Sequence, residues 1–178
     1  MAKDYFVVTI IGPDRRGLVA GITTEIASHD ANIEESYMSR LGGEFAVLML
    51  LSLSNGKSEM LLGGLEKLQS DQVKVFVKET DLARLRVFEG FVPYEVSVIG
   101  ADHEGIVHQV ARYLAELRIQ IDEMETQVTP APITGTPLFS MMAEVKAPPE
   151  ISLPQLRDKL EELGDQLGVD ISVKLLAD

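Results

Sequence analysis

The residues with the clearest capacity for chemistry lie in a short turn, Gly12–Gly17, with the sequence Gly-Pro-Asp-Arg-Arg-Gly. A run rich in β-branched residues precedes the turn and a helical apolar pattern follows it, so it is expected at a helix start. A helix N-terminus carries unpaired N–H groups and partial positive charge, which attract carboxylates. Asp14 stands at the predicted N-cap, and Arg15 and Arg16 could pair with a carboxylate. The turn predicts either a site for a small carboxylate effector or a structural turn in which Asp14 caps the helix and Gly17 serves packing.

The same turn occurs a second time in the chain. Residues 11–35 align without a gap with residues 99–123, and both contain Ile-Gly-x-Asp-x-x-Gly followed by matched apolar positions. The second turn places Asp102, His103 and Gly105 where the first has aspartate, arginine and glycine. The histidine could add a pH-sensitive contact. This self-similarity predicts a duplicated module.

Each copy has the same predicted order of elements, βαββαβ, which is the split unit of ferredoxin-like folds. After the turn helix of the first copy, the patterns predict strands over 33–41 and 45–53, a helix over 57–69 and a strand over 73–77. The corresponding elements of the second copy are predicted over 119–129, 138–145, 153–167 and 169–175. The chain is therefore expected to be an α+β protein of two tandem ferredoxin-like domains with antiparallel sheets. The domains are predicted at residues 1–80 and 92–178, with a linker at 81–91.

The two copies differ in the connection between their second and third strands. Gly42-Gly43 predicts a tight hairpin in the first copy, whereas the second has a longer loop, Pro130–Pro137, which three prolines should stiffen. The strand Phe45–Leu51 is apolar at successive positions. Because helices cover only one face of such a sheet, a free face should alternate apolar and polar residues. We therefore expect the other face to be covered by the sister domain or by another chain.

The composition excludes several classes of function. The net charge is −12 and the isoelectric point is about 4.7, so direct nucleic-acid binding, which needs a basic face, is not expected. The chain has no cysteine and no histidine set at metal-ligand spacing, which predicts no metal site, and no cofactor motif is present. The first residues lack a signal-peptide pattern and every apolar run is too short to span a bilayer, so a cytoplasmic protein without membrane contact is predicted.

The repeated frame, with Ala-Asn-Ile-Glu-Glu or Ile-Gln-Ile-Asp-Glu after the turn helix, resembles the ACT domain. The tandem arrangement and the stretch Thr134–Phe139 are similar to the bacterial repressors of the glycine cleavage system. The resemblance implies amino-acid binding at interfaces between modules, near the first strand–helix turn. It also implies that an Asn at the start of the next strand contacts the ligand. The implied effector-binding residues are Gly12, Asp14, Arg15, Gly17, Leu18 and Asn32 in the first copy, and Asp102, His103, Gly105 and Gln120 in the second. Gln120 departs from the family pattern, which favours the first copy.

Taken with these observations, the resemblance implies a non-catalytic regulatory protein that senses a small amino acid of the glycine or serine class. The resemblance implies that it acts through a protein partner such as a transcriptional activator, and a homo-oligomer is expected. Two alternatives stay open, namely an allosteric accessory subunit of a metabolic enzyme and a ligand-free assembly module. An enzyme on the same fold is a further alternative, although the sequence offers no convergent nucleophile, base or metal set.

Overall fold

A computed structural model shows the chain as two compact units, Met1–Arg86 and Val87–Asp178. The structure describes residues 3–54, 58–82 and 88–176. Residues 83–87 of the predicted linker lie outside the described residues, as does Lys57 of the predicted second helix. The described residues of each unit form one four-stranded antiparallel sheet and two α-helices. The predicted fold class is therefore confirmed.

The first unit has the predicted order of elements. They are β1 (Lys3–Pro13), α1 (Leu18–Ser28), β2 (Asn32–Leu41), β3 (Glu44–Ser54), α2 (Ser58–Glu66) and β4 (Lys74–Thr80). The strands lie in the order β2-β3-β1-β4, so the first and third strands of the chain are central. The helix predicted over 57–69 ends at Glu66, because the chain turns there to reach β4.

The second unit repeats this arrangement. Its elements are β5 (Val92–Ala101), α3 (Ile106–Glu116), β6 (Gln120–Pro130), β7 (Pro137–Ala147), α4 (Leu153–Leu167) and β8 (Val169–Leu175). The sheet order β6-β7-β5-β8 matches that of the first unit. The helix predicted over 153–167 and the strand predicted over 169–175 have the predicted bounds, since Ser152 and Gln155 form a capping box at one end and Gly168 adopts a left-handed conformation at the other.

The core of the first unit lies between the sheet and its helices. Alternate residues of β1, namely Phe6, Val8 and Ile10, are buried, and α1 buries Leu18, Ile22 and Ile26 at four-residue spacing. These residues belong to one apolar cluster. The alternate residues of β1 thus pack against one face of α1. This packing fixes the position of the turn between β1 and α1.

The connections that follow β2 and β6 differ as predicted. Gly42 and Gly43 have φ values of 61° and 90°, which a tight type I′ hairpin requires and which glycine adopts without strain. In the second unit Pro130 pairs with Pro137 at the strand ends, so the loop proper is residues 131–136. The Ala131 N–H donates to the Thr136 carbonyl at 2.8 Å and the Gly135 N–H to the Ala131 carbonyl at 2.9 Å. The loop is therefore closed by its own backbone.

Both second strands carry a bulge near their start. Pairing with the third strand skips Glu34 in β2 and the equivalent Asp122 in β6. The Glu34 carboxylate accepts hydrogen bonds from Lys3 Nζ at 3.0 Å and from the hydroxyl of buried Ser52. Asp122 instead pairs with Lys146 Nζ at 2.6 Å. The duplicated bulge thus holds a carboxylate in each unit, with a different partner.

The face of the first sheet that points away from α1 and α2, here called the outer face, is apolar and exposed. Phe76 on β4, Tyr37 on β2 and Leu48 on β3 are 64%, 50% and 44% exposed. The matching face of the second sheet is mainly polar, and one row across it contains Lys174, Glu95, Glu144 and Glu123. That another surface covers the outer face of the first sheet stays a prediction.

Candidate functional site

The predicted site turn of the first unit lies between the end of β1 and the start of α1. The N-cap of α1 is Gly17, with φ 82°, so the prediction that Asp14 caps the helix is wrong. The reason is that β1 continues to Pro13 and the chain needs the following residues to reverse its direction. The Asp14 N–H donates to the Gly43 carbonyl at 3.1 Å, and its carboxylate lies 3.6 Å from Arg40 Nη1. Asp14 therefore ties the turn to the β2–β3 hairpin.

A small cavity of about 130 Å³ opens beside the start of α1. Arg15 and Arg16 contribute the charged side chains of its lining, and the other lining residues are glycine or apolar: Ile10, Gly17, Leu18, Gly21, Ile22, Leu68 and Val73. No described side chain caps this helix end. A carboxylate in the cavity would meet the partial positive charge of the helix start and two guanidinium groups. The arrangement suits a small molecule with one anionic group.

Six of the nine lining residues were not among the predicted effector-binding residues, namely Ile10, Arg16, Gly21, Ile22, Leu68 and Val73. Gly21 lies one helical turn after Gly17, so the helical period alone could have identified it. Leu68 and Val73 lie between α2 and β4 and reach the cavity only because the sheet brings β4 beside β1. A local pattern carries no signal for them.

The glycines of the turn serve two different purposes. A Cβ atom on Gly12 would lie 2.9 Å from Val73 Cγ2 and 3.2 Å from the Gln72 carbonyl, so the space beside Gly12 is filled by the protein itself. Gly100 is in the same position against Val169. A Cβ atom on Gly17 would meet nothing within 4 Å, and this glycine is needed for its positive φ. Gly12 therefore serves packing, and Gly17 shapes the cavity edge.

The equivalent turn of the second unit is closed by its histidine. Gly105, with φ 93°, is the N-cap of α3, so Asp102 is not the cap either, and its N–H donates to the Pro137 carbonyl at 3.0 Å. His103 Nε2 lies 2.8 Å from the Leu167 carbonyl and Nδ1 lies 3.1 Å from the Glu104 carbonyl. These carbonyls raise the pKa of His103, because a protonated ring can donate to both. The side chain that replaces Arg15 is thus already engaged within its own unit.

Asn32 and Gln120 lie at the opposite end of their sheets from the turns. Asn32 pairs with Ser52, which pairs with Tyr5 near the start of β1, whereas Asp14 follows the end of that strand. At about 3.3 Å per strand residue the two side chains are separated by roughly 30 Å. The side-chain amide of Gln120 donates from Nε2 to the Ile121 carbonyl at 2.7 Å. Neither unit therefore brings its turn residues together with the amide side chain that opens the second strand.

The cluster of Lys3, Glu34 and Ser52 lies close to Asn32 and has the composition of a nucleophilic site. Lys3 Nζ is 3.2 Å from Ser52 Oγ, within reach to take its proton. However, a hydrogen bond and the negative charge of Glu34 raise the pKa of Lys3, so its amine stays protonated. Hydrogen bonds from Ser52, Lys3 and Asn32 lower the pKa of Glu34 to about 2. The cluster is a set of mutually satisfied groups rather than an activated nucleophile.

Residues 3–54, 58–82 and 88–176 contain no group of three histidine, aspartate or glutamate side chains that could hold a metal ion. In the same residues, no helix combines the length and apolarity that a membrane crossing requires.

A family profile described as an ACT domain matches residues 4–78. A UPF0237 protein of Methanopyrus kandleri is 42% identical over 83 residues, which is 44% of this chain and 90% of that protein. The glycine cleavage system transcriptional repressor of Escherichia coli is 45% identical over 51 residues, which is 29% of this chain and 27% of that protein. A crystal structure of an unknown protein from Galdieria sulphuraria has a TM-score of 0.85 and 31% identity, and it covers 99% of this chain and 100% of its own.

Proposed function

Because the chain belongs to the ACT-domain family, we propose that it is a non-catalytic regulator that binds a small amino acid of the glycine or serine class. The observation that carries the proposal is the cavity at the start of α1, where Arg15, Arg16 and an uncapped helix end converge. The cavity of about 130 Å³ favours a small effector over a large one. Apolar residues form most of the remaining lining.

The effector carboxylate is placed at the N-terminus of α1, where N–H groups and the Arg15 guanidinium can both bind it. Because Asn32 lies at the far end of the same sheet, it can reach this effector only from a neighbouring module. The family resemblance implies such interfaces, and a homo-oligomer supplies them. Asn32 and the turn residues of one unit would then belong to two different effector sites.

The second unit has a weaker case for effector binding. His103 occupies the position of Arg15 and bonds the Leu167 carbonyl at 2.8 Å. An effector carboxylate would have to displace this contact, and the Asp102 carboxylate beside it adds negative charge. We therefore assign sensing to the first unit and place Asp102, Gly105 and Gln120 outside the effector site.

Regulation is proposed to pass through a protein partner, such as a transcriptional activator, rather than through DNA. The relative from Escherichia coli is named as a transcriptional repressor, and the net charge of −12 disfavours direct contact with phosphates. An effector can shift the association only by its differential affinity for the free and bound states. A coupling of ~1–3 kcal/mol would suffice for a useful switch.

Calorimetric titration of the chain with each of the twenty amino acids tests the proposal. Glycine or serine is expected to bind, and Arg15→Ala and Asn32→Ala are expected to weaken binding by about tenfold, the loss of one charge-assisted hydrogen bond. His103→Ala, at the matching position of the second unit, is the control and should leave the affinity unchanged. If none of the twenty amino acids binds, the proposed sensing function is wrong.

A second candidate function, a ligand-free assembly module, is favoured by the exposed apolar outer face of the first sheet. It predicts self-association without any effector affinity. An accessory role toward a metabolic enzyme would instead give effector binding together with a catalytic partner in affinity purification. Calorimetry and partner identification therefore separate the three functions.

A further inference from the structure

The outer face of the first sheet is organised in rows that run across all four strands. Strand register places residues of the four strands side by side at each level of the sheet. From β4 to β2, one row is Lys78, Val7, Leu50 and Glu35, and the next row is Phe76, Thr9, Leu48 and Tyr37. The first row therefore has a cation at one edge and a carboxylate at the other, and the second has an aromatic ring at each edge.

This pattern is complementary to itself. A two-fold axis parallel to the strands, placed above the line between β1 and β3, keeps every row at its own level and exchanges the two edges of the sheet. Lys78 then stands over Glu35 of the second copy, and Phe76 stands over Tyr37 of the second copy. In the centre, β1 of one copy lies over β3 of the other, which brings Val7 over Leu50. Aligned packing of two sheets about 10 Å apart keeps these pairs opposed.

We infer that the outer face of the first sheet is an interface with a second copy of this chain, related by that two-fold axis. Such an isologous contact buries the same patch on both copies. It buries Leu48 on a central strand together with Phe76 and Tyr37 on the two edge strands, all of which are exposed in the single chain. Aromatic residues are enriched in protein interfaces, and ion pairs fix the orientation of the partners.

Charge favours a second copy as the occupant. Lys78 is exposed and makes no ion pair with any other described residue, while Glu35 accepts a hydrogen bond from the Tyr37 hydroxyl at 2.9 Å and keeps further acceptor positions. A hollow of about 240 Å³ between the sheet and residues Asp81 and Leu82 leaves room for apolar side chains over Val7 and Leu50. The equivalent face of the second unit pairs Lys174 with Glu95 at 2.9 Å within the chain, so its cation is already used.

This contact is separate from the one that would bring Asn32 to the α1 cavity, because the two-fold axis keeps each row at its own level, and it does not depend on effector binding. Sedimentation equilibrium of the full chain without any amino acid is therefore the test. A dimer is expected for the natural sequence. Lys78→Glu and Glu35→Lys, made separately, should each raise the dimer dissociation constant at least about tenfold, because each sets two like-charged pairs against one another. The double variant should return to within about threefold of the natural protein.

Mixing the two single variants gives the sharpest result. One chain then offers only carboxylates and the other only ammonium groups at these positions, so the mixed dimer should form in preference to either homodimer. Lys74→Glu is the matched control, because its row ends in Ser39 rather than in a carboxylate, and it should not change the dissociation constant. Phe76→Ser should weaken the dimer as well.

A monomeric natural protein, or single charge variants that associate like the natural protein, would overturn the inference. Failure of the double variant to recover would equally overturn it, provided that its circular dichroism and unfolding transition match those of the natural chain. The calorimetric titration reports on effector binding separately, so either proposal can fail alone.

Discussion

Glu34 illustrates how a single bulge residue acquires a defined ionisation. Its carboxylate accepts hydrogen bonds from Ser52 and Lys3, and these hold its pKa near 2, with the Ser52 hydroxyl as the largest cause. The pKa is depressed, so the stabilisation that Glu34 gives is present above its ordinary pKa of 4.5 and is lost as the pH falls toward 2. We expect Ser52→Ala to raise the Glu34 midpoint toward 4.5 in an NMR titration, and Lys3→Met to raise it less. The opposite order would show that charge rather than the hydroxyl dominates.

His103 gives stability with the opposite dependence on pH. Its pKa is raised by the carbonyls of Glu104 and Leu167 and, to a smaller extent, by the Asp102 carboxylate. The stabilisation is therefore complete below the ordinary pKa of 6.5 and is lost as the pH rises through the higher folded-state pKa. The melting temperature of the natural protein should fall between about pH 6 and about pH 8, and the decrease should be smaller in His103→Asn. Equal slopes in the two proteins would contradict this assignment.

At the scale of elements, two adjacent glycines in α2 should respond in opposite ways to substitution. A Cβ atom on Gly64 would overlap the Glu25 carboxylate and approach His29 Nε2 to 2.5 Å, so these two flexible side chains must move aside and lose their 3.1 Å pair. Gly64→Ala should therefore destabilise the protein by up to about 1 kcal/mol in urea unfolding. Gly63 faces open space, so Gly63→Ala should stabilise it by about 0.5–1 kcal/mol, as alanine does in a helix. Equal effects would show that α1 and α2 do not pack at Gly64.

Element order was predictable from the sequence because the periods of two and 3.6 residues are local signals. The helix start was not, since the end of β1 depends on pairing with residues far along the chain, including the contact of Asp14 with Gly43. Leu68 and Val73 could not be predicted either, because they line the cavity only through the pairing of β4 with β1. The separation of Asp14 from Asn32 was implicit in the order of elements, because α1 returns the chain to the end of the sheet where β1 begins.

At the scale of the whole molecule, the two units share one fold but differ in the turn before their first helix and in the polarity of their outer sheet face. The first unit combines an open cavity with an apolar outer face, whereas the second closes its turn with His103 and exposes charged residues on the matching face. We therefore propose a division of labour in which the first unit binds the effector and a second copy, and the second unit binds a protein partner.

The division of labour predicts where an effector acts. At about one hundred times its dissociation constant, glycine or serine should stabilise the protein by ~2.7 kcal/mol. Hydrogen exchange should slow at the amides of Leu18–Ile22 and stay unchanged at Ile106–Val110, which are the equivalent residues of the second unit. Protection of both helices would show that the two units share the task.

The bulges in β2 and β6 affect the tendency of the sheet edges to aggregate. Strands β2 and β6 form sheet edges, and a straight edge strand is a template on which a misfolded chain can grow fibrils. The extra residue at Glu34 or Asp122 interrupts the regular ladder and places a charge at the interruption. A growing stack would have to bury that carboxylate at each layer. We therefore expect the bulged edges at β2 and β6 to be poor templates for fibril growth.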